Sequence, residues 1–255
     1  MHIKKHLSQV FLKDKKYLQR IASAPVCSND LPVLEIGSGH GELTDFLLNF
    51  CPILECIEVD SGLANSLQKK FGNNPNVKII QADIRSFAVE KDYSSVVGNI
   101  PYHISFEIID FLRCNRRRIQ SAYLTVQKEF GYKLCAQAGT KNYGYLAAFT
   151  GAFFDKKVLF NIPKEAFKPA PKVDSCLVEL KVFSALVNKI DDEAKFSDFL
   201  HKIFNLRRKK IANVLKKKFN CKTPGPILES TGIPADLRPE AINAVQYANL
   251  YKRMI

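Results

Sequence analysis

The fold is decided by residues 33–44, which read VLEIGSGHGELT. Val33–Ile36 is a short apolar run typical of a buried strand, and it leads into three closely spaced glycines. A helical pattern then runs from Glu42 to Phe50. Because glycines between a strand and a helix let a ligand approach the backbone closely, we predict a ligand-binding α/β sheet around this turn.

The glycine turn departs from a dinucleotide-binding fingerprint. That fingerprint needs glycine three residues after Gly39, where Glu42 stands, and a carboxylate at a helix start repels a pyrophosphate. Acidic residues follow the next two predicted strands, Glu58 near the end of the second and Asp83 after the third. An acid after the second strand typically binds ribose hydroxyls, although either acid alone is more often an ordinary turn residue.

The fourth predicted strand ends in Asn99-Ile100-Pro101-Tyr102. The amine of adenine or cytosine shares its lone pair with the ring, so it becomes nucleophilic only when its two hydrogens are drawn out of plane. The Asn99 side-chain oxygen and the Ile100 carbonyl can accept those hydrogens. Pro101 holds that carbonyl in place and Tyr102 can stack on the base. Alone, the tetrapeptide also fits an ordinary strand-to-turn junction.

These four features follow successive strands, at the edge where open α/β sheets bind ligands. Together they have the spacing of S-adenosylmethionine-dependent methyltransferases, so we predict that cofactor. Two later strands, at 153–160 and 176–182, lack a long helix between them, which suits a mostly parallel sheet finished by an antiparallel strand.

The strands stop after Ala185, and the rest of the chain reads as helical. Apolar residues recur at helical spacing over 191–219, and Pro224-Gly225-Pro226 breaks the pattern. We therefore predict a catalytic domain over 1–184 and a helical domain over 185–255, in which the Lys and Arg residues on the other helix faces suit RNA binding. The second domain would serve equally well as a packing cap on the first.

Nearly the whole chain resembles the small-subunit ribosomal RNA adenine dimethyltransferases. The matching stretches are SQVFL (8–12), EIGSGHGELT (35–44), IEVD (57–60), QAD (81–83), GNIPYHIS (98–105), VQKE (126–129), YGYL (143–146), FKPAPKVDS (167–175), FNLRRK (204–209) and LRPE (237–240). The last two are similar to the small-subunit group in particular.

The resemblance implies a Rossmann-like fold with a seven-stranded sheet and a small helical domain. It implies a cofactor site made by Leu12, Gly37, Gly39, Glu58, Asp83 and Asn99. It also implies that Asn99, Ile100, Pro101 and Tyr102 act on the adenine, with Phe167 stacking on its other face. Val10 departs from the family's usual Asn or His, so we predict no role for its side chain and leave open whether the N-terminal segment touches the cofactor.

The same resemblance implies the reaction and its partner. The expected reaction is N6,N6-dimethylation of adjacent adenosines near the 3′ end of small-subunit ribosomal RNA, in an immature 30S-type particle during subunit biogenesis. It needs no metal and no strong general base, so we assign no role to His40 or His103. We expect a monomer.

Composition agrees with an RNA partner. The formal net charge is +13, and such a field attracts phosphate backbones. A single run of basic residues is commonly a solvated helix face. The presence of several such runs in this chain favours RNA binding. The residues predicted to bind RNA are Arg116, Arg117, Arg118, Arg207, Arg208, Lys209 and Lys210. An acidic membrane would attract the same charge, yet no long apolar or amphipathic anchor supports a membrane partner.

The seven cysteines are odd in number and lack CxxC spacing, which predicts reduced thiols without disulfides or zinc. No apolar leader or span of transmembrane length occurs, so we predict a cytoplasmic location.

Three alternatives remain open. The large-subunit adenine methyltransferases of macrolide resistance share the glycine turn, the tetrapeptide and the FxPxP segment. DNA adenine methyltransferases have a similar tetrapeptide, but that hypothesis gives no account of the segment at Phe167. A non-catalytic RNA-binding assembly factor on the same fold is the third alternative.

Overall fold

The computed structural model describes residues 10–182 and 190–254. The strands are β1 (Phe11–Leu12), β2 (Val33–Ile36), β3 (Leu54–Glu58), β4 (Val77–Gln81), β5 (Ser95–Asn99), β6 (Ser121–Gln127), β7 (Phe154–Ile162), β8 (Phe167–Lys168) and β9 (Ser175–Val182). The helices are α1 (Lys15–Ala22), α2 (Glu42–Leu47), α3 (Ser61–Phe71), α4 (Ser105–Cys114), α5 (Lys128–Leu134), α6 (Tyr145–Gly151), α7 (Glu193–Phe204), α8 (Ile211–Phe219), α9 (Pro224–Ser230) and α10 (Ala244–Met254).

A seven-stranded sheet forms the centre, in the order β4-β3-β2-β5-β6-β9-β7. β2 pairs in parallel with β3 and β5, and parallel pairing continues to β4 on one side and β6 on the other. β9 runs antiparallel to β6. The predicted α/β fold, a mostly parallel seven-stranded sheet with an antiparallel strand plus helices, is confirmed. The residues of β2 and β3 are all buried, including Glu35, Glu55 and Glu58, which agrees with parallel strands that are covered on both faces.

The described residues form two compact units. The first contains 10–131 and 157–182, and the second contains 132–156 and 190–254. The predicted boundary at 184/185 lies outside the described residues. The stretch 132–156, which the prediction kept with the catalytic domain, groups with the C-terminal helices, because α6 packs on α7 and α10. A hydrogen bond of 2.8 Å between the hydroxyls of Tyr145 and Ser197 joins α6 to α7.

Three details of the helices correct the predictions. The pattern over 191–219 forms two helices, α7 and α8, and not one, because the chain turns at 205–210 and the Ile211 N–H bonds the Leu237 carbonyl at 2.7 Å. Pro224-Gly225-Pro226 opens α9, since proline suits the first helical turn, where no N–H partner is needed. α2 ends at Leu47, three residues before Phe50.

A two-stranded antiparallel ribbon ties the N-terminal segment to the Phe167 loop. Phe11 pairs with Lys168 and Leu12 with Phe167. The ribbon continues through the N–H of Lys13, which donates to the Ala166 carbonyl at 2.8 Å. Residues 10–13 are thereby held beside the first residues of the FKPAPKVDS segment.

Cysteine chemistry differs from the prediction at one pair. Cys27 and Cys51 form a disulfide with their Cα atoms 5.2 Å apart, so the prediction of reduced thiols throughout is wrong for these two. The loop after α1 brings Cys27 to the end of α2, a proximity that spacing along the chain does not reveal. Cys56, Cys114, Cys135, Cys176 and Cys221 are free. In the residues that the structure covers, no helix is long and apolar enough to cross a membrane.

Candidate active site

One cavity in the first unit brings together the predicted cofactor residues. Its wall includes Leu12, Gly37, Gly39, Glu58, Asp83 and Asn99, which come from the N-terminal ribbon and from the carboxyl ends of β2 to β5. Ile100 and Pro101 also line it. The other lining residues used below are Val10, Glu35, Glu42, Arg85 and His103. The strand order predicted that Gly37, Gly39, Glu58, Asp83 and Asn99 would meet at this edge, whereas Leu12 was expected only from the family resemblance.

The glycine turn leaves space where side chains would intrude. Gly39 has a φ of +58°, and a Cβ there would lie 3.1 Å from the ring of Phe11. Gly41 has a φ of +80°, and its Cβ would come within 2.6 Å of Phe71. Both positions therefore require glycine, for conformation and for space.

Glu58 holds the turn in place from the end of β3. Its side chain is buried; Oε2 accepts the N–H of Gly39 at 2.9 Å and Oε1 accepts the N–H of Asp60 at 2.9 Å. A carboxylate oxygen has more than one acceptor position, so both oxygens can still accept a hydroxyl from the cavity side. Glu58 thus combines a structural contact with a suitable ribose contact.

Asn99 presents an unused acceptor. Its Nδ2 donates to the Val10 carbonyl at 3.1 Å, which fixes the orientation of the amide. Its Oδ1 is buried and has no hydrogen-bond partner among the described residues. A buried oxygen without a donor is costly unless a ligand supplies one. The contact with Val10 was missed from the sequence because it uses the main chain, and it brings the N-terminal segment into the site.

The neighbours of Asn99 are rigidly placed. Ile100 is buried, and Pro101 has a φ of −60°. The Tyr102 hydroxyl lies 2.6 Å from the hydroxyl of Ser175, a fully buried residue of β9, and burial raises the pKa of Tyr102. The Tyr102 ring is therefore anchored at its far end, by a serine that sequence reasoning did not single out.

Tyr102 and Phe167 are not among the residues that line the cavity within the described part of the chain. Phe167 is only 4% exposed, because it packs in the core beside Leu12 as its β1–β8 partner. A ring buried to this extent offers little face to a base. Stacking by Phe167 stays a prediction.

A buried carboxyl lies beneath the glycine turn. Glu35 is 1% exposed, and its Oε2 accepts the Thr44 hydroxyl at 2.6 Å and the Cys56 thiol at 3.4 Å. Burial raises its pKa from 4.5 to about 7, against the opposing effect of these hydrogen bonds. Its charge therefore changes within the physiological pH range.

Glu35→Gln is expected to stabilise the protein at pH 8 far more than at pH 5. The folded pKa lies above the unfolded value of 4.5, so the stability contributed by this group is fully present below pH 4.5 and lost as the pH rises through about 7. A shift of this size corresponds to roughly 3 kcal/mol at pH 8. Thermal unfolding at both pH values measures it, and equal changes in Tm at the two would contradict it.

The predicted RNA-binding residues lie on both units. In the first, Arg117 and Arg118 are exposed, whereas Arg116 is half-buried and donates to the Arg113 carbonyl at 2.7 Å. In the second, residues 207–210 are all exposed, and Arg207 pairs with Glu240 at 2.9 Å. Arg207 is therefore partly engaged within the fold.

A model of the ribosomal RNA adenine dimethylase family matches residues 1–254. The chain belongs to this family. Similar members include the ribosomal RNA small subunit methyltransferases A of Mesoplasma florum (32% identity, 98% of this chain and 97% of that protein), Coxiella burnetii (33%, 98% and 97%) and Chlorobium phaeobacteroides (34%, 99% and 94%). The predicted family resemblance is confirmed.

Solved structures agree with membership of the ribosomal RNA adenine dimethylase family. A dimethyladenosine transferase from Plasmodium falciparum superposes with a TM-score of 0.82 at 25% identity, covering 94% of this chain and 95% of that one. The 23S rRNA methyltransferase ErmE gives 0.78 at 27% identity, covering 96% and 99%. The chain is accordingly an S-adenosylmethionine-dependent methyltransferase with a Rossmann-like catalytic fold.

The residues present fit this cofactor. Carboxylates at Glu58 and Asp83 suit ribose hydroxyls and an adenine amine, and the glycine turn permits close approach. Asn99, whose buried Oδ1 has no hydrogen-bond partner among the described residues, belongs to the same wall. In the parts of the chain that are described, no group of three or more His, Cys, Asp or Glu side chains is arranged to hold a metal ion.

Proposed function

We propose that the protein dimethylates N6 of adjacent adenosines near the 3′ end of small-subunit ribosomal RNA, within an immature 30S-type particle. The observation that carries the proposal is that Asn99 belongs to the cavity wall and that its buried Oδ1 has no hydrogen-bond partner among the described residues. The whole-length likeness to proteins named ribosomal RNA small subunit methyltransferase A supports the choice of RNA.

The side chains around Asn99 prepare the amine for attack. Oδ1 of Asn99 and the Ile100 carbonyl accept the two N6 hydrogens, which withdraws the lone pair from the ring. Pro101 fixes the backbone at that carbonyl. The target base stacks on Tyr102, whose orientation Ser175 sets. Stacking of this kind contributes about 1 to 3 kcal/mol per base.

S-adenosylmethionine, when bound, supplies a methyl group attached to a positively charged sulfur. With this cofactor bound, Oδ1 of Asn99 and the Ile100 carbonyl would hold N6 in the orientation for attack on the methyl group, and the proton that N6 loses would go to water. Alignment of the two reactants removes roughly 7 to 11 kcal/mol from such a bimolecular barrier. The monomethylated amine keeps one hydrogen for Asn99, so a second transfer follows the same route.

Phe167 can stack on the target adenine only if its loop moves. The ring is buried beside Leu12, so stacking on the second face of the adenine requires residues 167–174 to shift when RNA binds.

The main alternative within the enzymes is less well supported. ErmE, named as a 23S rRNA methyltransferase, shares the fold. ErmE is 27% identical to this chain, whereas the relatives named for the small subunit are 32–34% identical over 98–99% of it, so methylation of large-subunit RNA is not favoured.

The test is incubation of the protein with labelled S-adenosylmethionine and, separately, immature small subunits and large subunits. Nucleoside analysis should find dimethyladenosine in small-subunit RNA only. Label in the large subunit would favour the resistance-type reaction, and no transfer to either would favour a non-catalytic assembly factor.

Replacing Arg208, Lys209 and Lys210 by Gln should weaken RNA binding and flatten its salt dependence. These side chains are exposed, and the log–log slope of affinity against salt should fall by about 1 for each residue that contacts a phosphate. Binding is measured by filter retention at several salt concentrations. The control replaces Lys195 and Lys202, which pair with Asp192 and Asp198, and an equal loss there would show a general charge effect.

We propose in addition that the protein acts as a monomer in the cytoplasm, where ribosomal subunits assemble. Light scattering of the purified protein tests the first point. The Cys27–Cys51 disulfide is unusual for a cytoplasmic protein, and thiol titration of freshly isolated protein measures how much of it forms there.

A further inference from the structure

Asp83 and its neighbour Arg85 form an ion pair in the wall of the cofactor cavity. Asp83 follows β4 and begins the short turn Ile84–Ser86, where its Oδ1 accepts the N–H of Arg85 at 2.9 Å. Both side chains line the cavity. The sequence analysis selected Asp83 alone, because an acidic residue after the third strand is typical of a cofactor site. An arginine two residues later is not part of that pattern.

The guanidinium of Arg85 contacts both oxygens of the Asp83 carboxylate. Nε donates to Oδ1 at 3.0 Å and to Oδ2 at 3.1 Å, and Nη2 donates to Oδ2 at 2.5 Å. A planar, bidentate contact of this kind fixes the orientation of a carboxylate. A single point charge, such as a lysine ammonium, does not. The contact lowers the pKa of Asp83 through the hydrogen bonds from Arg85.

This pair does little for the stability of the fold. The side chains of Arg85 and Asp83 are 58% and 31% exposed, and exposed ion pairs stabilise proteins only slightly. Glu107 on α4 adds a second favourable charge for Arg85. An arginine that lines the cavity and is paired with the Asp83 carboxylate, with little effect on stability, points to a role in the cavity itself.

We infer that Arg85 is a positioning residue for the cofactor, which holds Asp83 in one orientation as an acceptor for the exocyclic amine of the cofactor's adenine. The inference rests on the proposed cofactor position. A carboxylate that only accepts hydrogen bonds favours an amine and rejects a carbonyl at the same ring position. Without Arg85, the Asp83 carboxylate can rotate away from the ring, and a carboxylate that no longer faces the ring position discriminates less between an amine and a carbonyl.

The test uses two product analogues that differ at this edge of the ring. S-adenosylhomocysteine carries the amine beside an unprotonated N1, and S-inosylhomocysteine carries a carbonyl beside an N1–H. Calorimetry at pH 7 should show that the wild type prefers the adenosyl compound by at least tenfold. Arg85→Gln should bind the adenosyl compound about tenfold more weakly and lose most of the preference. Arg85→Lys should recover part of the affinity, since it restores the charge without the planar contact.

Steady-state kinetics give a second readout. For Arg85→Gln, KM for S-adenosylmethionine should rise while kcat at saturating cofactor stays within about twofold. Lys70→Gln removes an exposed ion pair with Asp45 outside the cavity wall and should change neither affinity nor preference. A wild type that binds both analogues equally would remove Asp83 from the adenine and overturn the cofactor position as well. A selective wild type with an equally selective Arg85→Gln would overturn the inference alone.

Discussion

Asn99→Ala should lower kcat by about 100- to 1,000-fold, the range found when one well-placed hydrogen-bonding group is removed from an active site. The affinity for S-adenosylmethionine should change by less than about threefold. We expect kcat to fall much more than cofactor affinity because Oδ1 of Asn99 is a buried acceptor without a partner among the described residues. Without it, the amine keeps its lone pair in the ring even when both reactants are bound.

Single-turnover methyl transfer to small subunits measures the chemical step, and calorimetry measures cofactor binding separately. Asn115→Ala is a matched control, because its amide also donates to a main-chain carbonyl, that of Phe111, but lies away from the cavity wall. Normal transfer by Asn99→Ala would remove the carboxamide from the reaction.

Glu58→Ala should weaken binding of S-adenosylmethionine by about 100-fold or more. A hydrogen bond to a charged group is worth about 1.5 to 3 kcal/mol, and two ribose hydroxyls would lose their acceptor. The substitution also releases the N–H of Gly39, so the glycine turn loses the contact that positions it. Both effects act on the cofactor, and calorimetry measures their sum.

Glu42→Gln is the control for Glu58→Ala. It shows whether cofactor affinity depends on Glu58 in particular or on any negative charge in the cavity wall. Glu42 lines the same cavity and pairs with Lys13, but it accepts no N–H from the glycine turn among the described contacts. It should change affinity by less than about fivefold. If Glu58→Ala bound cofactor as well as the wild type while melting at the same temperature, the ribose contact would be refuted.

The fold was predictable because its signals are local. β2 and β3 are short segments rich in Val, Leu and Ile with no regular polar alternation, as expected of parallel strands buried on both faces. The order of the strands then brings Gly37, Glu58 and Asp83 to one edge of the sheet. A correct prediction of the topology therefore also predicts that these residues line one cavity.

The remaining features depend on contacts between distant parts of the chain. The disulfide joins residues 24 apart in sequence, and the Tyr102–Ser175 contact spans 73 residues. The grouping of 132–156 with the C-terminal helices also rests on packing between elements far apart in the chain. Residue type shows that each side chain can make such contacts, but not which partner it meets.

The hold of the N-terminal segment on Asn99 has a consequence for evolution. The Val10 contact is made by a peptide oxygen, which every amino acid possesses. The side chain at position 10 can therefore change without altering the orientation of the Asn99 amide. A valine at this position is compatible with an active enzyme. Purifying selection should act instead on the length of the segment and on its register with the β8 strand.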